Sequence, residues 1–166
     1  MKGLIRSLSR GGARAPIQKM VRRATVALSI DGATGVGFGT AVIGDLPAGN
    51  ILILGAVSYV QITEASAGIT ATFDGDVSIG STPTADVTLA GTDVDIMPST
   101  PLGAATSSVS PRVRGVLAAP FTLDNTDGSA ELNLNVLIDD AAISADDAVA
   151  SAVVDLFLLY SVLGDD

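Results

Sequence analysis

Ile69-Thr70-Ala71-Thr72-Phe73-Asp74-Gly75-Asp76-Val77-Ser78-Ile79 places Ile69, Ala71, Phe73, Val77 and Ile79 on one parity and Thr70, Thr72, Asp74, Asp76 and Ser78 on the other. A period of two is the signature of a strand with one face buried and the other in water. The same alternation runs through Leu132, Leu134, Val136 and Ile138 against Glu131, Asn133, Asn135 and Asp139, and through Ala24, Val26, Leu28 and Ile30. It is weaker at Val87 and Leu89. Gly35, Gly37 and Gly39 alternate with Val36, Phe38 and Thr40 in another strand, and a further one starts near Arg112. Two segments, 51–62 and 153–163, are apolar on both parities, which suits a sheet centre or a subunit contact.

Strands are therefore expected over 23–30, 35–43, 50–64, 69–80, 85–90, 112–123, 130–139 and 152–163, with no helix of comparable strength. Turn chemistry separates them at Asp31-Gly32, Pro47-Ala48-Gly49-Asn50, Gly91-Thr92-Asp93 and Asn125-Thr126-Asp127-Gly128. The break from Gly91 to Pro111, with Pro98 and Pro101, reads as a long surface loop, and 144–151 as one helical turn. This spacing predicts an all-β chain: an antiparallel β-sandwich or jelly roll of about eight strands, with an extended basic N-terminal arm. The expected division is an arm over 1–23 and a sandwich over 24–166.

The 166 residues suit one domain. The chain is 48% hydrophobic but only 4% aromatic, so its core must come from Ala, Val, Leu and Ile. Cys, His and Trp are absent, which removes disulfides, thiolate nucleophiles, imidazole bases and the usual zinc ligands. Mean hydropathy is +0.51, yet no run approaches the ~18 apolar residues of a membrane span, and a soluble protein with no membrane partner is expected. The glycines at 32, 35, 37, 39 and 44 match no phosphate-loop spacing; relief of strand packing explains them. Asp124-Asn125-Thr126-Asp127-Gly128 reads as a hairpin turn rather than a calcium loop, and Asp139, Asp140, Asp146 and Asp147 as a solvated group. Sparse aromatics disfavour a glycosidase built on paired carboxylates. The expectation is no enzyme, no cofactor and no metal.

Charge is unevenly distributed. Lys2, Arg6, Arg10, Arg14, Lys19, Arg22 and Arg23 precede the first acid, Asp31, so residues 1–23 carry +7. All eighteen acids follow, against Arg112 and Arg114 alone, a balance of −16. Gly11, Gly12 and Pro16 limit the arm to two short helices at most. It lacks the apolar core of a secretory signal. A mitochondrial transit peptide and a disordered solubilising tail are alternatives, but the preferred reading is a tether to an acidic surface or to nucleic acid. Arg112 and Arg114, two apart on one side of a strand, have two open partners: acids of a neighbouring subunit or a local Asp.

Gly44-Asp45-Leu46-Pro47-Ala48-Gly49-Asn50-Ile51-Leu52-Ile53-Leu54-Gly55-Ala56 and Thr72-Phe73-Asp74-Gly75-Asp76-Val77-Ser78-Ile79-Gly80-Ser81 resemble the small jelly-roll virion proteins that decorate or cement the heads of tailed bacteriophages. Leu132-Asn133-Leu134-Asn135-Val136-Leu137-Ile138-Asp139-Asp140 and the closing Tyr160-Ser161-Val162-Leu163-Gly164 are similar too, so the likeness covers residues 24–164 and leaves the arm unmatched. The resemblance implies a structural protein on the capsid surface of the virion, a homo-oligomer, commonly a trimer, bound to the major capsid protein. The charges agree, since packaged DNA would repel the body while the arm is drawn to acidic shell surfaces or to phosphates. Shell anchoring is assigned to Leu4, Ile5, Arg6, Leu8, Arg10, Arg14, Ile17, Lys19, Met20, Arg22 and Arg23, and a subunit contact to Arg112, Arg114, Phe157 and Leu159. A single jelly-roll coat protein with a nucleic-acid-facing arm, and a carbohydrate-binding receptor module on a fibre or knob, are the alternatives. If the acids serve turns and solvation, millimolar calcium and chelator will leave the thermal unfolding midpoint unchanged; a rise of many degrees with calcium shows a site at Asp124, Asp127 or the later aspartates.

Overall fold

A computed structural model of the chain describes residues 16–33, 35–65, 68–140, 143 and 148–164. The described residues form ten strands: β1 Gln18–Ser29, β2 Asp31–Ala33, β3 Gly35–Asp45, β4 Gly49–Glu64, β5 Asp74–Gly80, β6 Met97–Pro101, β7 Val113–Val116, β8 Phe121–Asn125, β9 Glu131–Asp140 and β10 Val149–Gly164. Among the described residues the only helical element is a 3-10 turn at Gly91–Asp93. Two five-stranded antiparallel sheets form. The first has the order β1-β10-β4-β7, with β8 also on β4, and the second has the order β2-β3-β9-β5-β6.

The pairing is nested: β1 pairs with β10, β3 with β9, β4 with β7 and β8, and β5 with β6. The chain is in effect one long hairpin with its tip at β5–β6, wound into two facing layers, which is a jelly-roll arrangement. The inward parity supplies the core. Leu28, Ile53, Val60, Ile62, Val154, Leu156 and Leu158 of the first sheet meet Val77, Ile79, Leu132, Leu134, Val136 and Ile138 of the second. Aliphatic side chains dominate, as the composition demands, although the largest fully buried side chain is the aromatic Phe73. The alternating glycines of β3 make room for this packing. A Cβ built on Gly37 would lie 2.5 Å from Ile30 Cγ2, and one on Gly39 2.8 Å from Ile30 Cδ1.

Several expected boundaries move. β1 begins at Gln18, so residues 18–23 of the basic segment belong to a strand paired along its whole length with β10. Only 74–80 of the expected 69–80 strand joins a ladder. Ile69 and Phe73 are buried, but a turn closed by Phe73 N–H to Thr70 C=O (3.2 Å) carries them, so that alternation records packing without pairing. The expected strand 112–123 is two strands, β7 and β8, divided at Ala118-Ala119-Pro120. Asp31-Gly32 lies inside β2, whose pairing with β3 is the hairpin. Of the helical turn expected over 144–151, residues 144–147 lie outside the described residues and 149–151 are in β10.

The expected surface loop 91–111 contains β6 and contributes the buried Ile96, Met97, Leu102 and Ala105. Pro98 and Pro101 are tolerated because β6 is the sheet edge, where one side of the ladder needs no N–H donors. Residues 85–90 form no strand. The segment Ser81–Asp95 instead crosses the outer face of the second sheet, held by Asn135, a side chain the alternation assigns to water but which is 0% exposed. Its Oδ1 accepts from Thr40 Oγ1 and from Thr84 N–H (both 2.8 Å), and its Nδ2 donates to the carbonyls of Thr82 and Asp93 (both 3.0 Å). Gly80 permits the close approach, since a Cβ there would stand 2.1 Å from the Thr92 carbonyl oxygen. Asn135→Leu should therefore cost about 3 kcal/mol through the donors and acceptors it strands, and Gly80→Ala about 1–3 kcal/mol. Urea unfolding measures both, and an Asn135→Leu chain with the wild-type midpoint would show that the crossing segment is not pinned there.

Candidate functional site

Outward-facing side chains of the first sheet stand in rows set by strand register. One row is Arg23, Asp155, Tyr59 and Arg114, on β1, β10, β4 and β7 in turn. The next row is wholly apolar: Val21, Phe157, Val57 and Val116. Leu159 extends it along β10, while Val153 lies on the far side of the Asp155 row, in register with Thr25 and Gln61. Phe157 and Leu159 are each 46% exposed, and Val21, Val116 and Val153 are exposed as well. A contiguous apolar row on an open sheet face is unusual where water is the only neighbour.

Asp155 anchors the polar row. It is the only acid in the doubly apolar segment 153–163, and its side chain is 10% exposed. A carboxylate this buried needs partners, and it has two. Arg23 Nε donates to Oδ1 at 2.6 Å and an Arg112 terminal nitrogen donates to Oδ2. The Arg112 guanidinium also lies over the Tyr59 ring, 5.2 Å from its centroid, in cation–π geometry. The hydrogen bond from Arg23 holds the Asp155 carboxyl below the ordinary carboxylate range despite the opposing effect of burial, and the charges of Arg23 and Arg112 add to this. Reciprocally, that hydrogen bond raises the Arg23 guanidinium. Arg23, Tyr59, Arg112, Asp155 and Phe157 line an open depression of about 400 Å³.

The residues assigned from sequence fall in different places. Leu4, Ile5, Arg6, Leu8, Arg10 and Arg14 lie outside the described residues. Ile17 is exposed beside Pro16, whose carbonyl accepts from Ser161 Oγ at 3.2 Å. Lys19 pairs in register with Leu159 and is exposed, whereas Met20 faces inward and packs against the core. Arg22 reaches towards β3 over Gly44, where a Cβ would be 2.8 Å from its Nε. Met20, Arg22 and Arg23 thus serve the body directly, because their strand is part of it. Of the two partners open to Arg112, the local aspartate is the one it meets; Arg114 has no acid partner among the described residues. Asp155, Tyr59, Val21 and Val116 were not singled out by sequence. A lone acid within an apolar strand was the available signal for Asp155, but its partners lie 132 and 43 residues away along the chain.

Every described Lys and Arg lies on β1 or at β7, in the first sheet. The second sheet carries Asp31, Asp45, Asp74, Asp76, Glu131, Asp139 and Asp140, and no cation. No group of three or more carboxylates among the described residues is arranged to hold a metal. Asp124 and Asp127 accept from the N–H and hydroxyl of Thr126 and Ser129, which is turn chemistry, and the Ser129 bonds lower the Asp127 carboxyl. Burial raises the Asp95 carboxyl although Ser81 donates to it twice. No described helix is long and apolar enough to cross a membrane.

No protein-family model matches the chain, and no curated protein does. Among solved structures it is similar to a chain of the cyanophage Pam1 capsid asymmetric unit, at 21% identity over 89% of this chain and 94% of that one, with a TM-score of 0.42. It is also similar to a chain of infectious bursal disease virus, Gx strain, at 10% identity over 86% of this chain and 32% of that one, with a TM-score of 0.37.

The depressed Asp155 carboxyl sets a pH signature. A carboxyl lower in the folded than in the unfolded chain adds stability above its unfolded value, about 4, and that stability is lost as pH falls through the folded value. Asp155→Asn should be less stable than wild type at pH 7, with the difference closing as pH drops below about 4. Urea midpoints against pH test this; a difference independent of pH would mean that shape rather than charge matters at this position.

Proposed function

We propose that this chain is a structural component of a virus particle: a decoration or cement protein on the capsid surface of a tailed phage, bound to the major capsid protein. It acts without catalysis or cofactor. The observation that carries the reading is the outer face of the first sheet, where Val21, Phe157, Val57 and Val116 form an apolar row bordered by guanidinium groups. Such a face suits protein–protein assembly, and apolar, aromatic and Arg side chains are the ones that dominate interface energetics. The jelly-roll strand order and the resemblance of residues 24–164 to head decoration proteins support the same role. The working unit is a homo-oligomer, most simply a trimer.

The anchor is the segment ahead of β1, residues 1–17. Lys2, Arg6, Arg10 and Arg14 meet acids of the shell while Leu4, Ile5, Leu8 and Ile17 fill shallow apolar grooves. The body from residue 18 onward holds five cations against eighteen acids, net −13, and stays away from packaged DNA. Because β1 starts at Gln18, the place to cut is before it. A chain lacking residues 1–17 should keep its β-type circular dichroism and its mass in solution yet fail to bind undecorated heads. A chain lacking residues 1–23 should also lose stability, since it forfeits half of the β1–β10 ladder. Salt at 1 M, where the Debye length is about 3 Å, should weaken head binding only in part because the apolar contacts persist. Heads saturated by the 1–17 deletion with unchanged affinity would show the segment to be a passenger.

A further inference from the structure

We infer that the outer face of the first sheet is the seat of a second copy of this chain, which meets it with the outer face of its own second sheet, so that copies join head to tail. This rests on the oligomeric part of the reading above and adds which surfaces meet. The two faces lie on opposite sides of one sandwich, so neither can satisfy the other within a chain. The first offers Phe157 and Val116 among Lys19, Arg23, Arg112 and Arg114, its only neighbouring acid being the already paired Asp155. Arg23 keeps its side chain 81% exposed even while bonded to Asp155, which leaves guanidinium N–H groups for a second acid.

The second sheet presents the complementary surface. Its register sets Phe38, Leu137, Asp76 and Pro101 in one outward row and Val36, Asp139 and Asp74 in the next. These last residues, with Leu137, Asp76 and Pro101, line an open depression of about 310 Å³. Apolar surface lies between carboxylates on this face and between cations on the other. Two first-sheet faces together would set guanidinium against guanidinium, and two second-sheet faces carboxylate against carboxylate, and like charges across an interface are strongly disfavoured. Only the mixed contact opposes unlike charges while apolar rows meet. A contact between different faces is heterologous, and where its rotation closes it builds a ring, of which a trimer is the smallest beyond a pair.

The test uses the full chain and two charge-reversed variants, one for each face. The first-sheet variant is Phe157→Glu with Arg114→Glu, and the second-sheet variant is Asp76→Lys with Asp139→Lys; all four positions lie on outward-facing strand surface. Val116→Glu and Asp74→Lys are second choices if either fails to give the wild-type circular dichroism. Sedimentation velocity should show wild type as a closed oligomer at micromolar concentration and each variant alone as a monomer, its self-association weakened on the order of thirtyfold or more. An equimolar mixture should re-associate above the monomer mass, because each variant retains the face the other has lost. A monomeric wild type would overturn this inference together with the oligomeric reading. A second-sheet variant that keeps the wild-type mass, or a mixture that stays monomeric, would overturn the head-to-tail contact alone.

Discussion

β10 is hydrogen-bonded on both sides, to β1 along Val149–Tyr160 and to β4 along most of its length, and the rest of the molecule is arranged by that position. Placing the last strand between the first and the fourth forces the intervening chain to nest. β9 then returns beside β3, β7 and β8 fall against β4, and the hairpin tip closes as β5 and β6. The inward parity of β10, from Ala150 through Leu158, is fully buried against the second sheet. Its outward parity alternates between Asp155 and the exposed Val153, Phe157 and Leu159.

Burial of Asp155 follows from this placement and sets the character of the outer face. An acid on a central strand is flanked by two neighbours, so its charge must be met sideways, by Arg23 from β1 and by Arg112 just ahead of β7. Those partners lie on or directly beside the strands that carry every other described cation, so the same topology that satisfies one carboxylate gathers the positive charge on one sheet. The second sheet receives strands without cations and is left acidic. A polarised sandwich is thus a product of strand order rather than of net composition, and it gives the molecule two distinguishable surfaces.

Polar groups also organise the opposite side. Asn135 sits on an outward position of β9 but is covered by the segment Ser81–Asp95 and makes four hydrogen bonds. Asn125 does similar work at the sandwich end, donating to the Pro47 carbonyl at 2.8 Å and accepting from Ala130 N–H at 2.7 Å, so one side chain fastens the turns before β4 and before β9. Fully satisfied buried amides of this kind specify one arrangement of the connecting segments, which aliphatic packing alone would leave loose.

Local alternation determined much of this protein: an all-β chain, the inward faces of β9 and of the second half of β1, and the glycines that relieve β3. These properties depend on neighbours two residues away, and a period of two is visible in any window of the sequence. The tertiary structure decided whatever depends on partners far along the chain. Residues 18–23 became an edge strand because β10 offered them a ladder, although their charge marked them as tether. β6 formed in a proline-bearing stretch because a sheet edge excuses missing N–H donors. Asn135 left water because a distant segment supplied three of its four partners and Thr40 of β3 the fourth. Arg23 and Arg112 reached Asp155 because nested pairing joins residues more than a hundred positions apart in one case and about forty in the other. Hydrogen bonds and ion pairs act across space, and sequence separation carries no record of them until the strand order is known.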